Sequence, residues 1–369
     1  MAELSIEQEN EIYAVPERAA TDSPGQLIRP EQTSDGTFRR QRNWFNARFG
    51  DEPGRVRPEA GRYRLLGSVG CGWARRQLII QRLLGISEVV PFESLYTRAP
   101  QTWLITQYGE VVKKFGTNKL NDFYARTDPA FAGRGTSPTI LDIETGLVVT
   151  NNYHTIGIDF ETAFKPFHAV GAPDLYPVEL RAEIDLLNQQ IFDDVNNGTY
   201  KVLFAANRPA AEAAIAVFHA RLADYDFRLA SRRYLFGDQL TDSDVRLFVT
   251  LSSYERAYRP RLAAILSEAE VNHLPDYPNL WAYARDLFGQ GFADELEQYH
   301  LGLIPGPSGA YTKNLGFTGT LPVPEPAEAL AGWREPSGRE QLTGSPLYSG
   351  PGSGGSFELW AFGGVPVAG

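Results

Sequence analysis

The chain has 369 residues, enough for two domains of ordinary size, and 43% of them are apolar, so a sizeable core is available. A formal net charge of -10 argues against nucleic acid as the main partner, because neutralising phosphates needs a basic surface. One cysteine excludes an intramolecular disulfide and any cysteine-rich metal site, and no apolar run reaches membrane-span length, so neither a metal nor a membrane is expected. A lone thiol suits the reduced cytoplasm, and the acidic, polar residues 1–10 do not read as a secretory signal.

Residues 1–59 read as an extended N-terminal arm, polar at first and interrupted by Pro16, Pro24 and Pro30. Residues 38–49 interleave aromatics with Arg39, Arg40, Arg42 and Arg48, a stretch expected to pack on the body and form surface ion pairs. Residues 63–69 read as an apolar strand, and 74–84 as a helix with Ala74, Leu78 and Ile79 on one face and Gly85 as its stop. Cys71 falls where strand hands over to helix. There the backbone N–H groups and the positive end of the helix dipole favour the thiolate, and Arg75 and Arg76 add positive charge. A buried, inert cysteine is the bland alternative, and the strand–Cys–helix context outweighs it. A second strand is expected over 89–94, then a loop holding Tyr96, Arg98 and Trp103, a helix over 119–126, and a hairpin over 143–149 turning at Glu144-Thr145-Gly146.

The order β-α-β-α-β-β, with a proline opening the third strand and a cysteine at the first helix, indicates a thioredoxin-like domain over 60–165. In that fold Pro138 is expected to be cis, with the Ser137 backbone turned towards Cys71. Residues 175–305 read as helical, with helices over 179–195 and 209–225. Another begins at Thr241 as N-cap with Asp244 three residues on, and a further one runs from Asp276 to an end at 296–300. Residues 306–369 read as a C-terminal extension ending in a Gly/Pro/Ser-rich tail, whose apolar word at 357–362 is expected to dock.

Several words in this order resemble the glutathionyl-hydroquinone reductases, the omega-like Xi class of glutathione transferases. Cys71-Gly72-Trp73-Ala74 is similar to the family's Cys-Pro-Trp-Ala, with Gly72 in place of the proline that stiffens the helix entry. Leu120-Asn-Asp-Phe-Tyr-Ala-Arg-Thr-Asp-Pro resembles Leu-Arg-Asp-Leu-Tyr-Leu-Lys-Ala-Asp-Pro, and Gly133-Arg-Gly-Thr-Ser-Pro138 resembles Gly-Arg-x-Thr-Val-Pro. Asn196-Asn-Gly-Thr-Tyr200-Lys is similar to Asn-Asn-Gly-Val-Tyr-Lys. The resemblance spans about residues 38–322. It implies a thioredoxin-like domain followed by an all-helical transferase C-terminal domain, and a homodimer in the cytoplasm.

For the site, the resemblance implies Cys71 as catalytic nucleophile and Tyr200 as the proton donor of the aromatic pocket. Trp73, Trp103, Arg134, Ser137 and Pro138 would form the thiol-binding site. Asn152 and Tyr153 stand where the family has a Glu-Ser pair that grips the γ-glutamyl group, so glutathione would lose two anchors. The second pocket tyrosine has no clear counterpart, although Tyr311 is near in sequence. The expected function is a thiol transferase that reduces glutathionyl-hydroquinones, acting on an aromatic thioether or quinone through a Cys71 mixed disulfide. Two alternatives stand beside it: the same chemistry with mycothiol or bacillithiol, and a transferase-like binding protein without turnover.

Overall fold

A computed structural model of the chain describes residues 31–32, 36–40, 43–99, 102–106, 109–293 and 326–342. It divides into two compact units, which exchange chain near residues 31–39 and 173–174. Expectations for Tyr311, for residues 296–300 and for the word at 357–362 lie outside the described residues.

In the first unit Tyr63–Gly67 forms the central strand, β1, with every residue buried. Helix α1, Gly72–Leu84, follows and ends at Gly85, whose left-handed backbone (φ 70°) directs its N–H onto Arg82 O. Strands β2, Phe92–Ala99, and β3, Thr102–Ile105, come next, then the helices α2, Glu110–Phe115, and α3, Leu120–Thr127. Strands β4, Thr139–Asp142, and β5, Leu147–Thr150, complete a sheet of order β3-β2-β1-β4-β5. Only the β1–β2 pair is parallel, with Leu65 opposite Phe92; β1 runs antiparallel to β4, with Leu65 opposite Ile140. Leu66, Leu95, Ile105, Leu120, Phe123 and Leu141 fill the core on one face. The short α4, Ile156–Glu161, packs beside α1.

Three sequence expectations need correction here. The second strand starts at Phe92, because Val89 and Val90 close a turn onto Ile86 O and Pro91 has no N–H to give a ladder. The expected loop around Arg98 and Trp103 is a hairpin of two strands, in which the two residues face each other in register. The Arg48 ion pair is not on the surface: its Nε meets Asp159 Oδ1 at 2.8 Å with both side chains buried. Phe49 packs edge-on between Tyr63 and Phe164, so Arg48 and Phe49 are part of the core of this unit.

In the second unit α5, Arg181–Gln190, continues through a wider turn at Ile191–Asn196 into α6, Gly198–Leu203. The long α7, Arg208–Leu229, is capped by Asn207, whose Oδ1 accepts from Ala210 N at 2.9 Å. Helix α8, Asp242–Ser253, opens as expected from Thr241 and Asp244: one Asp244 oxygen accepts the Thr241 N–H at 2.8 Å. Its other oxygen accepts Leu235 N–H and Tyr283 OH, so this aspartate is fully used in structure. Helices α9, Arg259–Ile265, and α10, Pro278–Leu287, follow. The C-terminal extension contains a helix the sequence reading missed, α11, Pro326–Arg334, whose Trp333 is buried against Trp281 and Phe288.

Candidate active site

Cys71 occupies the position just before α1. Its backbone is extended (φ -99°, ψ 114°), while its carbonyl accepts the first helical bonds from Ala74 and Arg75. The preceding turn is closed by Cys71 N–H on Ser68 O at 2.9 Å and by Gly70 N–H on the Ser68 hydroxyl at 3.2 Å. Across from it, the Ser137–Pro138 peptide is cis, as the sequence led us to expect. The Cys71 thiol donates to the Ser137 carbonyl at 3.4 Å, and Ser68 N–H donates to Ser137 Oγ at 2.9 Å. Two bonds therefore tie the cysteine turn to the proline loop, and the thiol remains half-buried rather than sealed.

Arg134 lies three residues before Ser137. Its Nε and Nη1 are buried with no hydrogen-bond partner among the described residues. Such orphaned donors are costly until an acceptor reaches them, which fits a site for an anionic group. Arg75 and Arg76, expected to add positive charge near the thiol, are buried along α1.

Trp73 is mostly covered by protein. Its ring lies 4.8 Å from that of Tyr153 between centroids, and the Arg40 guanidinium sits 4.7 Å from its centroid. Tyr153 is buried as well, with its ring 4.3 Å from His154. The Asn152 carboxamide is engaged by protein: its Oδ1 accepts Asn43 Nδ2 at 3.1 Å and His154 N–H at 3.0 Å, opening the turn into α4. Trp103 stands on β3 and packs against the core of the sheet. Tyr200 belongs to the second unit, on α6, in an aromatic group with Phe38, Phe204 and Tyr258. The fold thus brings Cys71, Ser137 and Pro138 together, and pairs Trp73 with Tyr153. Sequence reasoning missed Ser68, Asn43, Asn121, Tyr124 and Asn151 around the site. The available signals were short words such as Leu120–Pro129, Asn43-Trp44 and Asn151–His154, read for family and not for what their polar residues hold. Among the described residues no cluster of His, Cys, Asp or Glu could hold a metal ion, and no helix is long and apolar enough to cross a membrane.

A thioredoxin-like sheet with its thiol at the start of the first helix, followed by an all-helical unit, is the architecture of a glutathione transferase. Consistent with that, residues 205–286 match the family model described as glutathione S-transferase, C-terminal domain. The chain is 33% identical over 285 residues to glutathionyl-hydroquinone reductase YqjG of Escherichia coli, covering 73% of this chain and 84% of that protein. The glutathione-bound structure of YqjG aligns with a TM-score of 0.64 over 85% of this chain and 96% of its own. A glutathione transferase from Gordonia bronchialis aligns at 35% identity and a TM-score of 0.66, covering 79% and 88% of the two chains. The Xi transferase of Phanerochaete chrysosporium aligns at 30% identity and a TM-score of 0.65, covering 73% and 87%. The chain belongs to the glutathionyl-hydroquinone reductase family, the Xi class of glutathione transferases, and is an enzyme of that family.

Proposed function

We propose that this enzyme reduces S-conjugated hydroquinones with a small thiol as reductant, using Cys71 as nucleophile. The observation that carries the reading is the half-buried Cys71 thiol at the start of α1, 3.4 Å from the carbonyl that precedes a cis-proline. The Cys71 thiolate attacks the sulfur of a glutathionyl-hydroquinone, forming a Cys71–glutathione disulfide as the aromatic C–S bond breaks. The electron pair stays on the aromatic carbon, which takes a proton from Tyr200. A second glutathione then attacks the mixed disulfide and leaves oxidised glutathione with free Cys71, a step the chain cannot supply because it has no other cysteine. The aromatic carbon is reduced by two electrons, and the sulfur of the thioether and that of one free thiol end in one disulfide. The Ser137 backbone aligns the reacting sulfur, Pro138 shapes its loop, Arg134 takes a carboxylate, and Trp73 and Trp103 wall the site.

The assay is direct: supply a glutathionyl-hydroquinone with glutathione and follow hydroquinone release by chromatography and Cys71 by intact mass. Turnover with a transient adduct of one glutathione on Cys71 is expected; hydroquinone release without any such adduct would discard the route.

A second reading, the same chemistry with a thiol that lacks a γ-glutamyl group, is favoured by one observation. At the positions of the family's Glu-Ser anchors, Asn152 is already bonded to Asn43 and His154, and Tyr153 is packed on Trp73. Neither offers a charge to an ammonium group, and losing a charge-assisted bond weakens binding by about 1.5–3 kcal/mol. Running the resolving step with bacillithiol or mycothiol beside glutathione separates the two readings by which thiol gives the higher kcat/KM.

We further propose a cytoplasmic homodimer, supported by the lone cysteine and by the family resemblance. Light scattering at micromolar concentration should report the mass of two chains; the mass of one would refute it.

A further inference from the structure

The loop that carries Arg134 has no ladder of its own, yet Gly133 O, Gly135 N–H and Thr136 N–H are all bonded by side chains of a single helix. Asn121, at the start of α3, brackets Arg134 from both sides: its Oδ1 accepts Gly135 N–H at 2.8 Å, and its Nδ2 donates to Gly133 O at 3.0 Å. One turn further along the same face, the hydroxyl of Tyr124 accepts Thr136 N–H at 3.2 Å and donates to Thr139 Oγ1 at 2.6 Å. The Thr139 hydroxyl passes its own proton to Thr136 O at 2.7 Å, so every hydrogen in this relay has one direction. Burial raises Tyr124 above the ordinary phenol range, which keeps it a neutral donor. The loop is seated tightly: a Cβ on Gly135 would stand 2.9 Å from Leu120 Cδ2 and 3.2 Å from Asn121 Oδ1. From the far side, Asn151 Nδ2 donates to Thr136 Oγ1 at 2.8 Å.

We propose that Asn121 and Tyr124 are positioning residues of the thiol site, holding residues 133–136 so that Arg134 and the Ser137 carbonyl are presented together to the incoming thiol. The inference rests on the reading above, in which Arg134 and Ser137 bind that thiol. Its basis is the contrast along this loop. The backbone on both sides of Arg134 is bonded, whereas Arg134 itself keeps two donors, Nε and Nη1, buried without partners among the described residues. A guanidinium with unused donors binds a carboxylate well only if its Cα is held still, since otherwise the loop must be ordered at the moment of binding. The same helix start also reaches the Trp103 strand, through Asn121 N–H on Thr102 Oγ1 at 3.1 Å. Asn121 touches neither Cys71 nor the Ser137 carbonyl, so its loss should alter capture of the thiol and not the reactivity of the cysteine.

The test uses the full-length enzyme, with glutathione as the thiol. Asn121→Ala is expected to raise KM for glutathione at least tenfold while kcat stays within twofold. The rate at which iodoacetamide alkylates Cys71 should also stay within twofold of the parent. Asn121→Asp keeps the acceptor for Gly135 N–H but sets an oxygen against Gly133 O; it should show the same KM increase, and it carries the test if Asn121→Ala does not fold. Asp122→Asn, on the exposed side of the same helix, should behave as the parent. An unchanged KM in the folded Asn121 variants would overturn the proposal. So would a parallel fall of kcat and alkylation rate, which would mark a general structural role. A parent enzyme with no saturable dependence on any thiol would instead overturn the functional reading itself, and the two failures are told apart by that measurement.

Discussion

Cys71→Ala is expected to lower reduction of glutathionyl-hydroquinones by at least about a thousandfold, without a comparable change in stability. Only a thiolate attacks sulfur efficiently in this exchange, and no second cysteine exists to take its place. The side chain is half-buried, and among the described residues its polar contact is a long bond to the Ser137 carbonyl, so truncation leaves a small gap at the surface of the domain. Thermal unfolding should therefore follow the parent closely while turnover disappears. Cys71→Ser keeps a hydroxyl at the same place; the family resemblance implies weak conjugating activity for it, with no mixed disulfide. Steady-state assays with intact mass measurement check both variants. Turnover in Cys71→Ala within tenfold of the parent would remove the cysteine from the mechanism altogether.

The second large effect lies in the helical unit. Arg221, in the middle of α7, is completely buried, with Nη2 2.9 Å from Asp194 Oδ2 and Nη1 3.1 Å from Asp224 Oδ2. Both aspartates are buried too, and burial holds Asp194 above the ordinary carboxylate range despite the attraction of Arg221. Arg221→Met removes the guanidinium that both buried carboxylates bond, which should cost about 3–5 kcal/mol of stability at neutral pH. Without it, burial makes the carboxyls take up protons more readily folded than unfolded. The penalty should thus be full above their folded-state values and shrink as pH falls towards the unfolded carboxylate value of about 4. Adding Asp194→Asn to Arg221→Met should recover part of the loss. Urea unfolding at pH 7 and pH 5 measures all of this, with Arg208→Met as an exposed comparison expected to stay near the parent. An Arg221→Met protein as stable as the parent at pH 7 would show that the triad contributes nothing net.

These two expectations sit at opposite ends of what a sequence can reveal. The cysteine site was legible because its parts are local. A strand, a cysteine and an amphipathic helix follow one another within about twenty residues, and Gly85 ends the helix in a left-handed conformation; in the helical unit the Thr241–Asp244 box is local in the same way. Each of these is decided by neighbours along the chain, and short words of the family carry the same information. What was missed depends on groups far apart in sequence. Helix α2 went unread because its first N–H groups are capped by Glu93, which accepts from Glu110 and Val111 across from β2. The ion pairs of residues 38–49 were expected at the surface because Asp159, the partner of Arg48, lies 111 residues downstream.

The same division runs through the site itself. The sequence holds a single thiol at the start of a helix, the β-α-β-α-β-β order set a proline opposite it, and the loop after the last strand, Asn151-Asn152-Tyr153-His154, carries no acid. These features could not tell that Trp73 would be roofed by Tyr153 and Arg40, or that Asn121 and Tyr124 would hold the Arg134 loop. Those roles arise only when the sheet sets α3 beside the 133–136 loop, Arg40 against Trp73 of α1, and Phe45 against the end of β5. A hydrogen bond between side chains acts over about 3 Å, and no periodicity along the chain records which distant groups folding will bring that close.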